Sequence, residues 1–194
     1  MKKISYSLRI GIIGNREQLK EIFLESLANS VIKSNLSDDY SEFLIVFKQI
    51  PVKIKIYLHE NLENLIYDFE NIQTLDVIIL SLDLYKPDSL SIINKLLIEE
   101  FNDTFSFQGL SILVGMNIEH IFSKTPSKKF KISRFQLEKT TKDLNFIYCF
   151  EIFNKNRDVN EIYNTILNDF IIRFQYSSPE LFETAKEYGK RLLS

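Results

Sequence analysis

Residues that build cross-links and metal sites are scarce in this chain of 194 residues. A single cysteine, Cys149, excludes an internal disulfide framework, so we expect the protein to work in a reducing compartment. The two histidines, His59 and His120, lack the i, i+4 spacing with which a helix presents a metal-binding pair. We therefore expect no metal site, and we interpret Cys149, which lies inside an apolar stretch, as a small core residue.

Long apolar runs and a strong excess of one charge are also absent. No run approaches the ~20 residues that a membrane-spanning helix needs, and residues 1–7 lack the apolar segment of a signal peptide. Lys2 excludes a myristoylation signal, and no cysteine near Ser194 is available for prenylation. A net charge of −2 does not favour nucleic acid or an anionic membrane as the main partner. We expect a cytoplasmic protein without a direct membrane anchor, peripheral to membranes at most through a partner.

The chain does have the composition of one globular domain. With 45% hydrophobic and 26% charged residues, its length suffices for a real core. Apolar runs predict six strands, at residues 7–13, 42–49, 52–58, 76–82, 110–116 and 145–152. Helical patterns are predicted at residues 17–33, 62–69, 90–101, from 133, 159–173 and from 178, and loops at 34–41 and 119–131. Ser133 and Gln136 resemble a capping box, and Pro179 suits a first helical position.

The order of these elements predicts the fold class. The strands on either side of Pro51 are joined so closely that they form an antiparallel hairpin, whereas the others alternate with helices. We therefore predict a three-layer α/β fold with a six-stranded, mostly parallel sheet and one antiparallel edge strand. This domain spans residues 1–175, and an extra C-terminal helix spans 176–194. Ligands on such sheets bind at the carboxyl ends of the strands, here residues 14–20, 59–61, 83–85, 116–120 and 152–156.

Residues 8–21 carry a phosphate-loop likeness. They read as a buried strand, a glycine turn and an amphipathic helix. A working loop reads G-x-x-x-x-G-K-[ST], in which backbone N–H groups hold the phosphates, the lysine reaches the outer phosphates and the hydroxyl binds magnesium. Gly14 and Lys20 match this pattern, but Leu19 and Glu21 replace the second glycine and the hydroxyl residue. The candidates for a vestigial or alternative nucleotide site are Gly14, Asn15 and Lys20.

The order of these elements over roughly residues 5–175 resembles that of the small GTPases of the Ras-like family. Residues 77–90 are similar to that family's fourth strand and the turn into its next helix. Residues 112–119 are similar to the strand that leads into its guanine-reading N-K-x-D motif. The resemblance implies a Ras-like topology and a role in intracellular trafficking or signalling.

The family's magnesium and phosphate motifs fail when they are carried over residue by residue. Its D-x-x-G motif falls on residues 58–61, where Leu58 and Asn61 replace the aspartate and the glycine. Its switch threonine has no counterpart in residues 34–42. Since family catalysis depends on magnesium and on positioned backbone donors, these losses imply that GTP is not hydrolysed.

The guanine-reading motifs are equally degenerate. N-K-x-D falls on residues 116–119, where Glu119 keeps an acceptor for guanine but Met116 replaces the first asparagine. The final S-A-K motif falls on residues 152–154, which read Ile-Phe-Asn. The resemblance therefore implies a pseudo-GTPase that is not an enzyme, with no catalytic residue and no cofactor.

Two apolar segments indicate a protein-interaction role. Residues 43–47 are apolar throughout and are predicted to lie at the sheet edge, where a partner can add a strand or two copies can pair, unless a helix or loop covers them. The C-terminal helix carries an apolar stripe that binds a partner or packs on its own domain. The candidate partner-binding residues are Phe43, Ile45, Phe47, Leu181, Ala185, Tyr188 and Leu192.

Two smaller features favour plain interpretations. His59 and His120 follow predicted strands, where a histidine can act as an acid or base, but ordinary loop residues are the favoured interpretation. A basic cluster in the 119–131 loop can meet phosphate or an acidic partner, although a solvated insertion is favoured. Its members are Lys124, Lys128, Lys129 and Lys131.

We therefore predict a catalytically inactive, small-GTPase-like protein that acts as a scaffold or complex subunit. Its partner is another protein and not nucleic acid, and a homodimer is left open. The alternative is an atypical switch that binds GTP or GDP with magnesium through a divergent phosphate loop at residues 14–20. A third hypothesis is an unrelated doubly wound protein such as a receiver-like module, which needs acidic residues that Gly14-Asn15 and His59-Glu60 do not supply well.

Overall fold

The computed structural model describes residues 6–28, 31–37, 40–60, 75–90, 107–122 and 132–193. The strands are β1 (Tyr6–Ile13), β2 (Lys33–Leu36), β3 (Ser41–Phe47), β4 (Ile50–His59), β5 (Val77–Asp83), β6 (Leu110–Met116) and β7 (Tyr148–Ile152). Helix α1 runs through Arg16–Leu19, a π-helical turn at Lys20–Leu24 and Glu25–Ala28. The later helices are α2 (Ile118–Phe122), α3 (Arg134–Asp143), α4 (Lys155–Ser177) and α5 (Pro179–Leu193). The helix predicted at 62–69, most of that at 90–101 and the basic cluster lie outside the described residues.

The described strands form one seven-stranded sheet in the order β2-β3-β4-β1-β5-β6-β7. Strands β4, β1, β5, β6 and β7 are parallel, whereas β3 is antiparallel to β4 and β2 is antiparallel to β3. The predicted α/β class and the mostly parallel sheet are confirmed, but the predicted count of six strands is wrong. The additional strand is β2, which falls in residues predicted to be a helix end and a loop.

Strand β2 also corrects the predicted sheet edge. Lys33 lies opposite Leu44, and the Ile32 N–H donates to the Leu44 carbonyl at 2.8 Å, so β2 occupies the side of β3 that was expected to be open. All four residues of β2 are exposed. Because β2 is held by backbone pairing and not by burial, no apolar alternation announces it in the sequence.

Each face of the sheet carries its own apolar cluster. Alternate residues of the central strands point to opposite faces, so Ile79 joins one cluster and Ile78 the other. Helices α1, α4 and α5 cover the first face, and α3 covers part of the second. The buried Tyr163 hydroxyl of α4 donates to the Phe23 carbonyl of α1 at 3.1 Å, and burial raises the pKa of Tyr163.

Helix α5 packs back on its own domain, against the β3–β4 hairpin. Its buried residues are Phe182, Ala185 and Gly189. A Cβ on Gly189 would collide with the Gln49 carbonyl oxygen in the hairpin turn, so only glycine permits this close approach. Of the predicted stripe on this helix only Ala185 is buried, and the face that packs on the domain is formed by Phe182, Ala185 and Gly189 instead.

Candidate functional site

The carboxyl ends of the five parallel strands lie along the same side of the sheet, as a parallel arrangement requires. The Gly14 N–H donates to the His59 carbonyl at 2.9 Å, which ties the end of β1 to the end of β4. Next to them, β5, β6 and β7 lead into the segments at 84–86, 117 and 153–154. The candidate loops predicted from the sequence are therefore neighbours, except for Asn61, which lies outside the described residues.

The connection between β1 and α1 consists of Gly14 and Asn15 alone. A phosphate loop places more residues between its strand and its helix, so that several backbone N–H groups can wrap one anion. Gly14 has a φ of +152°, which other residues rarely adopt, and a Cβ there would collide with the Ser81 hydroxyl. Ser81 in turn donates to the Ile13 carbonyl at 2.6 Å. Packing against Ser81 therefore accounts for this glycine.

The other residues of the stretch also have structural partners. The Asn15 side chain caps α1 by accepting from the Gln18 N–H at 3.1 Å. Leu19 is fully buried in the core. Lys20 forms an ion pair with Glu17 at 3.2 Å, and both side chains are largely exposed. Residues 14–20 thus form a capped helix start in which the apparent motif lysine faces a carboxylate of its own helix.

Asn117 is a buried polar residue that the sequence reasoning did not single out. It is 2% exposed and directly follows β6. Its side-chain oxygen accepts from the His120 N–H at 3.1 Å, and its own N–H donates to the Ile152 carbonyl at 3.0 Å. It therefore starts α2, whose first turn contains Glu119, and the loop predicted at 119–131 is wrong at residues 119–122. An asparagine that directly follows an apolar strand is the cap signal that could have revealed it.

Asp158 is the second residue that was missed. Its carboxylate accepts from the N–H groups of Phe153 and Asn154, both at 2.8 Å, and from Arg157 Nε at 2.7 Å. Burial works to raise the pKa of Asp158, but the hydrogen bonds from Asn154, Arg157 and Phe153 prevail and lower it. Asp158 therefore fixes the loop between β7 and α4, while Asn154 caps α4 by accepting from the Arg157 N–H.

A cleft of about 670 Å³ opens at the carboxyl ends of the strands, beside the N-terminus of α4. It is lined by Glu25, His120, Ile121, Phe153, Asn154, Lys155 and Asn156. Lys155 Nζ lies 2.6 Å from Glu25 Oε2 and 3.9 Å from Glu21 Oε1, and the rings of His120 and Phe153 meet edge to face. The described residues contain no group of three or more His, Cys, Asp and Glu side chains that could hold a metal ion. The cleft therefore combines charged and aromatic groups but offers no evident metal chemistry.

The candidate partner-binding residues do not form one exposed surface. Phe43, Ile45 and Ala185 are buried in the core, and Phe47 packs partly against it. Leu181 is 49% exposed, and Tyr188 and Leu192 are partly exposed beside the buried stripe of α5. The β3 half of the predicted surface is therefore unavailable in this structure, and the accessible half is one flank of α5.

No protein-family model matches the chain, and no curated protein matches it in sequence. Along the part of the chain that the structure describes, we find no helix whose length and apolarity would let it cross a membrane. The resemblance to Ras-like GTPases therefore stays a prediction from the sequence.

Proposed function

We propose that this protein is a catalytically inactive relative of the Ras-like small GTPases, which acts as an interaction scaffold or complex subunit in trafficking or signalling. One observation carries the proposal. In residues 14–20, where a GTPase of this family would hold phosphate, Gly14 packs on Ser81, Asn15 caps a helix and Lys20 pairs with Glu17. The stretch keeps the local order of strand, turn and helix, but its groups are engaged in holding the fold.

The sheet supports the same reading. Without β2, six of the described strands remain, of which β3 is antiparallel at one edge and the other five are parallel. This is the arrangement that the resemblance implies. The extra strand β2 adds to that plan at its edge and leaves the central order unchanged.

The loss of hydrolysis follows from what phosphoryl transfer requires. That reaction depends on a nucleotide positioned by backbone donors and on magnesium that offsets the developing charge. Here α1 already begins at Arg16, so the backbone around Leu19 and Lys20 is committed to a helix. Glu21 stands where the magnesium hydroxyl would be, and its carboxylate would repel phosphate.

The proposed interaction surface is the flank of α5 formed by Leu181, Tyr188 and Leu192, and the proposed partner is another protein. Apolar side chains that stay accessible beside a docked helix can be buried by a second chain without unfolding the first. Capture of partners from a lysate of the cells that express the chain tests this surface. Leu181→Glu should lose a specifically captured protein, whereas Glu183→Ala, on the other flank of the same helix, should retain it.

A thermal-stability measurement with GTP, GDP, ATP and magnesium tests the inactive-site half of the proposal. A ligand that binds only the folded state stabilises it by about 2.7 kcal/mol at a hundredfold excess over Kd. We expect no nucleotide-dependent rise in Tm at millimolar ligand and no nucleotide in the purified protein. A clear rise would contradict the proposal.

The alternative, an atypical nucleotide-binding protein, would use the cleft beside α4, where a helix N-terminus adjoins an aromatic ring and Lys155 would exchange its ion pair with Glu25 for phosphate. Two variants separate the sites if a rise is seen. Loss of the rise in Lys20→Ala would assign the ligand to the divergent phosphate loop. Loss in Lys155→Ala, with Lys20→Ala unaffected, would assign it to the cleft.

A further inference from the structure

Among the described residues, strand β7 ends the sheet on one side, and part of its backbone faces away from its neighbour. Its one strand neighbour among the described residues is β6. The Ile152 carbonyl accepts from the Asn117 N–H, so the backbone of Ile152 faces β6. Since successive residues of a strand face opposite sides, Phe150 also faces β6, whereas Cys149 and Glu151 direct their N–H and carbonyl groups away from it. No described strand pairs with these outward groups.

Among the described residues, this edge lacks three of the features that usually prevent strand addition, namely proline, lysine and a break in register. Its five residues contain no proline and no lysine, and their register with β6 is continuous from Tyr148 to Ile152. Ile147 and Tyr148 at its start are 53% and 37% exposed. The opposite edge differs, because β2 is only four residues long and begins with Lys33. Of the two edges, β7 is therefore the one suited to pairing.

We propose that β7 pairs antiparallel with β7 of a second copy of this chain, about a two-fold axis at Phe150. In this register Cys149 of each copy lies opposite Glu151 of the other. Each such pair uses the outward backbone groups and exchanges both of its N–H···O=C bonds, while the two Phe150 residues face each other as a non-hydrogen-bonded pair. The two seven-stranded sheets then become one. This inference needs only the fold and is independent of the proposed function.

The charges select this register. Arg134 Nη1 lies 3.6 Å from Glu151 Oε2 and also within electrostatic range of the Cys149 thiol. A Glu151 placed opposite Cys149 of the other copy therefore approaches a second guanidinium. If the two-fold axis lay at Glu151, the two Glu151 carboxylates would be opposite each other, and like charges destabilise a sheet. If the axis lay at Cys149, Glu151 would be opposite Ile147.

The other face of the paired strands is apolar. Tyr148 and Phe150 lie on it with ring centroids 6.1 Å apart, and both are accessible to some degree in one copy. In the proposed register Phe150 meets Phe150, and Tyr148 meets Ile152. Aromatic and β-branched cross-strand pairs of this kind are among those that stabilise sheets.

Sedimentation of the full chain over a range of concentrations tests the proposal. We expect a mass of twice 22.9 kDa at high concentration. Cys149→Pro removes one outward N–H from each copy and leaves the hydrogen bonds to β6 in place, so the dimer dissociation constant should rise about tenfold or more. Tyr148→Lys, at an exposed position, should weaken the dimer as well, and an unchanged Tm would show that this variant folds.

The matched control is Leu36→Lys on the β2 edge, which should dimerise like the parent chain. The register is tested by Phe150→Cys in a Cys149→Ser background, which should form an intermolecular disulfide under mild oxidation. A mass of 22.9 kDa at every concentration would overturn the proposal. A dimer that resists both β7 variants, or that is lost in Leu36→Lys, would overturn it too.

Discussion

At the scale of single residues, two glycines lie where a neighbouring group leaves no room for a side chain. Gly14 belongs to an apparent phosphate loop, yet it adjoins Ser81 and has a backbone conformation that other residues rarely adopt. Gly189 belongs to no motif, yet it lies so near the Gln49 carbonyl of the β3–β4 hairpin that a Cβ would collide with it. In both cases glycine is required because a neighbouring group occupies the space that a side chain would need.

Gly189→Ala should therefore destabilise the protein. The added methyl group would meet the Gln49 carbonyl, which belongs to a backbone turn and cannot rotate away as a side chain can. Overpacking of this kind costs about 1–3 kcal/mol in free energy of unfolding, measurable as a lower midpoint in urea. The control is Glu183→Ala on the exposed side of the same helix, and equal stability of the two variants would contradict the contact.

Asp158→Asn should make the stability less dependent on pH. The folded state lowers the pKa of Asp158, so its carboxylate contributes stability above its unfolded pKa of about 3.9, and this is lost as pH falls through the lower folded value. We expect the variant to be about 1–3 kcal/mol less stable near pH 7 and the difference to shrink below about pH 4. Asp143→Asn, at an exposed helix end, is the control, and a pH-independent difference would contradict this prediction.

At the scale of elements, α1 is interrupted by the π-helical turn at Lys20–Leu24. Such a turn corresponds to one residue more than a regular α-helix would hold over the same length, and the Glu25 N–H accordingly donates to the Lys20 carbonyl five residues earlier. The turn follows the Asn15 cap and buried Leu19 and precedes buried Ser26 and Leu27. It lets both ends of the helix keep their contacts.

Deletion of Glu21, an exposed residue of this turn, should consequently be tolerated. Removing the extra residue allows regular i→i−4 bonding, so we expect a folded protein whose stability falls by no more than about 1–2 kcal/mol. Deletion of Glu161, exposed in the regular helix α4, rotates every later residue of that helix by about 100° and should abolish cooperative unfolding. Circular dichroism during thermal unfolding compares the two, and equal damage would contradict the prediction.

At the scale of the whole molecule, the sequence predicted what burial imposes. Strands β5 and β6 are continuous apolar runs because both of their faces are covered, and β6 was predicted at its observed bounds. The predicted capping box at Ser133 and the start of α5 at Pro179 are confirmed, since both depend on local chemistry. These elements can be predicted from their own residues, without knowing which segments pack against them.

What could not be predicted depends on contacts between distant segments. Strand β2 exists because β3 offers it a backbone ladder, and its exposed side chains carry no pattern. The stripe predicted on α5 missed the buried one in part because Gly189, which contributes nothing to an apolar pattern, belongs to the buried face. The hydrogen bonds by which Asp158 holds the residues before α4 become visible only when the first residue of that helix is known.

The addition of β2 has a consequence for the assembly of several copies. A sheet with two unpaired edge strands can add further copies at both edges, head to tail, and form a filament of unlimited length. Here one edge strand is β2, which is short, exposed and begins with a lysine, and the other is β7, at which we propose pairing. Contact about a two-fold axis uses up that end in both copies at once, so the association is closed at two, and the same four residues that hide β3 act as a terminator for polymerisation.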